Sequence, residues 1–205
     1  MLDDKATEKL EEDFFECCLN AAESLYRDIN ELLRDLHEAR GASFISLLRD
    51  IASHGEFKLL KGEDGIYITG GKSSEDYNHL LNAARKAVEF GYRVYILPNP
   101  KGIRTADFIF ERKGVFRMYD LKTIQGKASA GTRLKESIGQ TNRVLLNIGT
   151  EYNARLLASD IKTYFETNIE AVEVLIFKGR KMISVSREHT QSAMFNRIFR
   201  RKYEK

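Results

Sequence analysis

The sequence predicts a mixed α/β (α+β) protein: an αβββαβ core around a mixed sheet, with a helical appendage before it and a hairpin and helix after it. Three observations carry that prediction. Residues 1–55 show only helical periodicity, residues from about 75 to 148 alternate helical and strand-like patterns, and a last stretch holds two β-rich runs before a closing amphipathic helix. A chain of 205 residues has room for one sizeable core plus an appendage. The expected division is an acidic appendage at 1–55 and a basic domain at 56–205, whose core spans about 75–185.

In the appendage, Leu10, Phe14, Ala21, Leu25, Ile29, Leu32 and Leu36 recur at helical spacing. Gly41 is expected to end one helix and Ser43 to cap another through Ile51. Cys17 and Cys18 are adjacent, so they cannot staple distant loops and lack the spaced partners of a zinc site; they read as core thiols. FKLLKGEDGIYITGG follows as a small hairpin, and Gly70-Gly71 is expected to mark the edge of the main domain.

Ser73 and Ser74 open a helix over about 75–90, with Leu80, Leu81, Ala84, Ala87 and Val88 as its apolar face and Gly91 as its terminator. YRVYIL is the first strand, stopped by Pro98 and Pro100, which lack amide donors. TADFIFERKGVFRMYDLKT reads as two strands joined at Lys113-Gly114, followed by the loop QGKASAG. A helix through Leu134 and Ile138 leads to RVLLNI, a buried fourth strand. Leu157, Ile161, Tyr164 and Phe165 mark another helix, VEVLIF and MISVS a hairpin around KGRK, and Phe195, Ile198 and Phe199 the final helix.

The net charge of +3 hides an asymmetry: residues 1–55 hold 6 Lys/Arg against 13 Asp/Glu, and residues 56–205 hold 27 against 17. A basic body suits a polyanion, because phosphate contacts release condensed counterions. The acidic piece suits a protein partner or the basic body itself, and both halves could equally be solvated surface. The acidic N-terminus is unlike a signal peptide and no run of about 18 apolar residues occurs, so a cytoplasmic location without membrane contact is expected. His37, His54, His79 and His189 share no catalytic or metal-ligand spacing.

The central hairpin carries the chemistry. If Lys113-Gly114 is a two-residue loop, Arg112 faces Val115, and the same register sets Asp107 opposite Asp120 with Lys122 on that face. Like charges across a ladder repel unless a cation, a proton or hydrogen bonds compensate. Two carboxylates can hold a hard divalent cation, and a lysine beside them can orient water or neutralise a phosphorane-like transition state. Taken alone, a D…DxK pattern more often reads as strand-end carboxylates with an ordinary ion pair.

TADFIF…YDLKT in its αβββαβ setting resembles the PD-(D/E)xK nuclease superfamily, with its restriction-endonuclease-like core. Gly91-Tyr92, the ADF and DLK triplets and the Gln140-containing helix resemble, more narrowly, the C-terminal toxin domains of contact-dependent growth-inhibition (CdiA) proteins, several of which are tRNA nucleases. The resemblance implies Asp107 and Asp120 as the metal-holding acids, Lys122 as the catalytic lysine, and a helix-borne glutamate, Glu75 or Glu89, as a third ligand. Ala106 stands where the motif often has proline. Gln140, at the end of the helix after the lysine, either faces the site or bonds loose carbonyls.

Lys127, Ser129, Thr132 and Arg133, among small residues that permit close approach, are candidate phosphate contacts, as are Arg197, Arg200 and Arg201 beside Phe195 and Phe199; a surface loop and a solvated helix face are the alternatives. The expected activity is an endonuclease using Mg²⁺ or Mn²⁺, with Zn²⁺ also considered, on RNA or tRNA ahead of DNA. An immunity or carrier protein is the expected partner of the acidic helices. The competing readings are a metal-independent RNase of the barnase and colicin type and a non-catalytic nucleic-acid-binding or phage structural protein.

Overall fold

The computed structural model describes residues 27–70, 77–99, 105–126 and 129–205. The helix expected before residue 27, with Cys17 and Cys18, lies outside the described residues, as do Glu75 and Lys127. The chain separates into two compact units, Met1–Phe57 and Lys58–Lys205.

The described part of the first unit is helical. Helix α1 (Ile29–Glu38) is capped by Asp28, whose carboxylate accepts the Asn30 N–H at 2.6 Å, and it buries Ile29, Leu32, Leu33 and Leu36. Helix α2 (Gly41–Ser53) buries Leu48, Ile51 and Ala52. Two expectations are corrected here. Gly41, at φ +59°, begins α2 and does not close α1. Ser43 is not the cap: it already sits inside the first turn, so its hydroxyl donates back to the Arg40 carbonyl at 2.7 Å and satisfies no orphan amide.

The second unit is one eight-stranded mixed sheet with the strands in sequence order. Strands β1 (Lys58–Leu59) and β2 (Ile66–Ile68) form the expected hairpin, but β2 pairs in parallel with β3 (Arg93–Ile96). Gly70-Gly71 is therefore no boundary, since the sheet continues across it. Helix α3 (Tyr77–Glu89) makes that crossover and stops at Gly91, whose φ of +80° suits a glycine after a helix.

Strands β4 (Phe108–Arg112) and β5 (Val115–Ile124) form the central hairpin. Helix α4 (Ala130–Glu136) leads to β6 (Arg143–Ile148), and α5 (Ala154–Thr167) to β7 (Glu173–Lys178), so β5, β6 and β7 are parallel. Strand β8 (Lys181–Ser186) returns antiparallel, followed by α6 (Arg187–Gln191) and α7 (Phe195–Glu204).

Period-two alternation splits the strand residues between two cores. On one face Phe108, Phe110, Tyr119, Leu145 and Phe177 pack with Ala83, Ala84 and Ala87 of α3, whose small side chains let the helix approach closely. On the other, Ile124, Val144, Leu146 and Ile176 pack with Leu134 of α4, Leu157 and Ile161 of α5, and Phe195, Phe199 and Tyr203 of α7. A parallel sheet covered on both faces exposes only the ends and edges of its strands, and there the polar groups collect.

Candidate active site

Lys113 and Gly114 adopt φ of +54° and +76°, as a two-residue loop of type I′ requires, and Arg112 pairs with Val115. The register then runs unbroken to Phe108 and Tyr119. One step further it breaks. The Asp107 N–H donates to the Tyr119 carbonyl at 3.0 Å, so Asp107 and Phe108 both oppose Tyr119, as in a β-bulge. Asp107 is thus not a regular ladder partner of Asp120, as the turn count implies. Its carboxylate takes over a main-chain role instead: Oδ2 accepts the Leu121 N–H at 2.6 Å.

Strand β4 ends here while β5 runs on to Ile124, paired along Asp120–Ile124 with β6 alone. The open edge of β5 borders a cleft of about 330 Å³ whose walls include Asp107, Lys122, Thr123 and Gln125, with His79 from α3 and Arg133 and Glu136 from α4. Asp120, 2% exposed, is not itself a wall residue and is tied to the cleft through Lys122. The Lys122 ammonium donates to Asp120 Oδ1 at 3.0 Å and lies 2.9 Å from Oδ2, an ion-pair distance without hydrogen-bond geometry that leaves Oδ2 buried and unbonded. Lys122 also reaches Gln140 Oε1 at 3.5 Å, the limit of a hydrogen bond.

Burial pushes the Asp107 carboxyl up to about 7; the Asp120 charge adds to the rise, while the Leu121 N–H and Lys122 oppose it. Burial also raises Asp120, against the pull of the Lys122 ammonium. Burial of both carboxyls and the repulsion between them thus favour the protonated acid, above all at Asp107, and the Lys122 side chain opposes the rise at both.

Magnesium is held in proteins by one or two carboxylates, with water and phosphate oxygens filling the remaining positions. Asp107 and Asp120, whose Oδ2 has only the Lys122 ion pair, are the residues that could hold such a cation, and carboxylate oxygens suit Mg²⁺ or Mn²⁺ better than Zn²⁺. No group of three or more His, Cys, Asp or Glu residues suited to a metal occurs among the described residues. Glu89, at the far end of α3 from His79, is not among the cleft walls.

The structure gathers Asp107, Asp120, Lys122, Gln140 and Arg133. Gln140 lies four residues beyond the end of α4, which is shorter than its apolar pattern implies, and its Nε2 donates to the Glu136 carbonyl at 3.3 Å. Ser129 is the N-cap of α4 without a side-chain cap bond, and Thr132 lies in its first turn; neither is among the cleft walls. Arg197, Arg200 and Arg201 sit on α7 and line a different groove, next to α5. Of the small residues expected to admit a sugar-phosphate chain, two serve packing: Ala130 is buried, and a Cβ on Gly131 would lie 2.9 Å from Asp160 Oδ1, whereas Gly126 borders open space.

Scattered histidines and a helix read as a plain apolar stripe concealed two further features. His79 reaches the cleft through the fold alone. Lys86 donates to Asn147 Oδ1 at 2.7 Å, and Asn147 Nδ2 to Asn82 Oδ1 at 3.0 Å, tying α3 to β6. Burial lowers the Lys86 pKa. The signal was available: an asparagine inside the apolar run RVLLNI, and Asn82 and Lys86 one turn apart on α3.

No family model and no curated protein matches the sequence. A solved structure described as a CdiA-CT/CdiI toxin and immunity complex from Burkholderia pseudomallei is similar over 58% of this chain and 98% of its own, with a TM-score of 0.41 and 12% identity.

Proposed function

We propose that this chain is a divalent-cation-dependent nuclease of the PD-(D/E)xK kind, hydrolysing phosphodiester bonds in the cleft beside β5. The observation that carries this reading is the meeting of Asp107, Asp120 and Lys122 at the open end of a buried sheet. A bound Mg²⁺ or Mn²⁺ would supply Lewis-acid polarisation of the phosphoryl oxygens.

The residues do the rest. Asp107 and Asp120 would hold the cation through their carboxylate oxygens. Lys122, 14% exposed, lies against that pair and can neutralise charge gathering on the equatorial phosphate oxygens. Arg133, which donates to Glu136 Oε2 at 2.9 Å on the cleft wall, can hold a flanking phosphate by leaving that exposed pair. A water oxygen bonds to phosphorus as the phosphorus–oxygen bond to the leaving sugar oxygen breaks; the water proton passes to solvent, and a solvent water returns a proton to the leaving oxygen.

RNA, and tRNA within it, is the proposed substrate, on the strength of the sequence resemblance to growth-inhibition toxins. An immunity or carrier protein on the acidic helices belongs to the same reading.

The test is incubation of the purified chain with tRNA, other RNA and DNA, each with Mg²⁺, Mn²⁺, Zn²⁺ or chelator, beside Asp120→Asn and Lys122→Ala. Cleavage should need Mg²⁺ or Mn²⁺ and fall about 10²–10³-fold in Lys122→Ala, as when one transition-state donor is removed. Activity that survives EDTA would replace this reading with the metal-independent one. Parental rates in both variants would place the chemistry elsewhere or nowhere.

A further inference from the structure

The groove between α5 and α7 encloses about 840 Å³ and takes Arg155 and Lys162 from α5 and Arg197, Arg200 and Arg201 from α7. It shares no lining residue with the cleft, which takes its helical wall from α4 and not from α5 or α7. Arg200 is spoken for by Glu204 at 3.4 Å and Lys162 by Glu166 at 3.9 Å. Arg155, Arg197 and Arg201 are exposed and have no carboxylate within 4.0 Å among the described residues.

Like charges gathered without counter-charges raise the free energy of a folded surface, and a polyanion relieves it. The inner sides of both helices are already committed, through Leu157, Ile161, Phe199 and Tyr203, to the core. The basic sides are therefore held at fixed separation on a packed scaffold. That differs from a flexible basic tail, whose ordering would oppose binding.

We infer that the α5–α7 groove is a second nucleic-acid contact, gripping the phosphodiester backbone outside the cleavage cleft. Arg155 stands on one wall, and Arg197 and Arg201 on the other. Contact with phosphates alone gives affinity without sequence preference, so the groove would hold a long strand while the cleft selects the bond. The grip rests on the nuclease reading only for its purpose, not for its existence.

The experiment measures binding of the full chain in EDTA, so that no cleavage is required. A fluorescent 30-mer RNA, the same sequence as duplex DNA, and tRNA are titrated from about 50 to 200 mM salt, a range over which phosphate contacts dominate affinity. The variant carries Arg155→Ala, Arg197→Ala and Arg201→Ala. A matched control carries Lys58→Ala, Lys113→Ala and Arg180→Ala, three exposed cations of the same unit. Circular dichroism checks folding of both.

The groove variant should lose at least 10-fold in affinity at low salt, and its log–log salt slope should shrink by about 2 to 3, near 0.7–0.9 per contact removed. The control should change neither by half as much. Equal losses in both would reduce the effect to net charge and overturn the proposal, as would an unchanged slope in the groove variant. Binding of an acidic polypeptide such as poly-glutamate in preference to every nucleic acid would overturn it in favour of a protein partner. With Mg²⁺, the groove variant should cut the 30-mer more slowly and a dinucleotide at the parental rate. If the parent cuts nothing yet binds with the full slope, the nuclease reading falls and the groove stands.

Discussion

At Asp107 two demands meet in one side chain. Its Oδ2 completes the main-chain hydrogen bonding that the bulge disrupts, which favours the charged acceptor, while burial and the Asp120 charge favour the neutral acid. Burial wins, and the pKa rises from the ordinary 3.8 to about 7. An acid whose pKa is higher in the folded chain holds its proton more tightly there. Its contribution to stability is thus fully present below pH 3.8, falls as pH climbs from 3.8 toward 7, and levels off above. Asp107→Asn keeps an oxygen acceptor for the Leu121 N–H and removes the titration. In EDTA it should leave Tm nearly unchanged at pH 4 and raise it by about 4–8 °C at pH 8, corresponding to about 2 kcal/mol. A variant no more stable than the parent at pH 8 would show that the buried pair carries no such cost. Because a cation competes with the proton on Asp107, Mg²⁺ affinity should strengthen with pH between about 5 and 8 and level off beyond the Asp107 value; calorimetry in buffers of different ionisation enthalpy would count the proton released.

At the scale of elements, local rules carried far. Period-two and period-3.6 patterns are short-range properties, so β3 to β8, α3, α5 and α7 could be read from them directly, and a two-residue turn propagates its register along the hairpin. Propagation failed at Asp107, because a bulge depends on what the neighbouring strand and the incoming chain require. The parallel pairing of β2 with β3 was invisible for the same reason: its partners are separated by a whole helix. Five residues are too few for periodicity to reveal α6, which is held by a box in which Ser186 and His189 satisfy each other's end groups. The apolar pattern of α4 runs past its last turn, so the sequence overstates its length. Its placement depends on Tyr152, whose hydroxyl accepts the Ala130 N–H at 3.1 Å and donates to Asp160 at 3.0 Å. Tyr152→Phe removes both bonds and leaves a helix-start amide bare, so stability should fall by about 1–3 kcal/mol in urea melts. Cleavage of tRNA should fall too, since α4 carries Arg133 and Glu136 to the cleft wall. Loss of stability with a parental rate below the melt would mean that α4 does not position the substrate.

Across the whole molecule the two units differ in charge sign as well as in architecture. Met1–Phe57 holds 6 basic and 14 acidic residues, and Lys58–Lys205 holds 27 and 16, so the formal +3 is the residue of two opposed fields. A polyanion approaching the second unit is attracted by it and repelled by the first, and both effects are screened over about 8–10 Å at physiological salt but reach about 30 Å at 0.01 M. Removing the first unit should therefore tighten RNA binding most where screening is weakest. A chain comprising Lys58–Lys205 carries its own eight-stranded sheet and both cores, which are the elements needed for it to fold alone. Its affinity for the 30-mer should exceed that of the full chain by about 10-fold or more near 0.01 M salt, with the two converging by 0.3 M. Equal affinities at low salt would show that the acidic unit does not oppose the substrate. A gap persisting at 0.3 M would point instead to a direct, short-range block of the binding surface, which screening cannot remove.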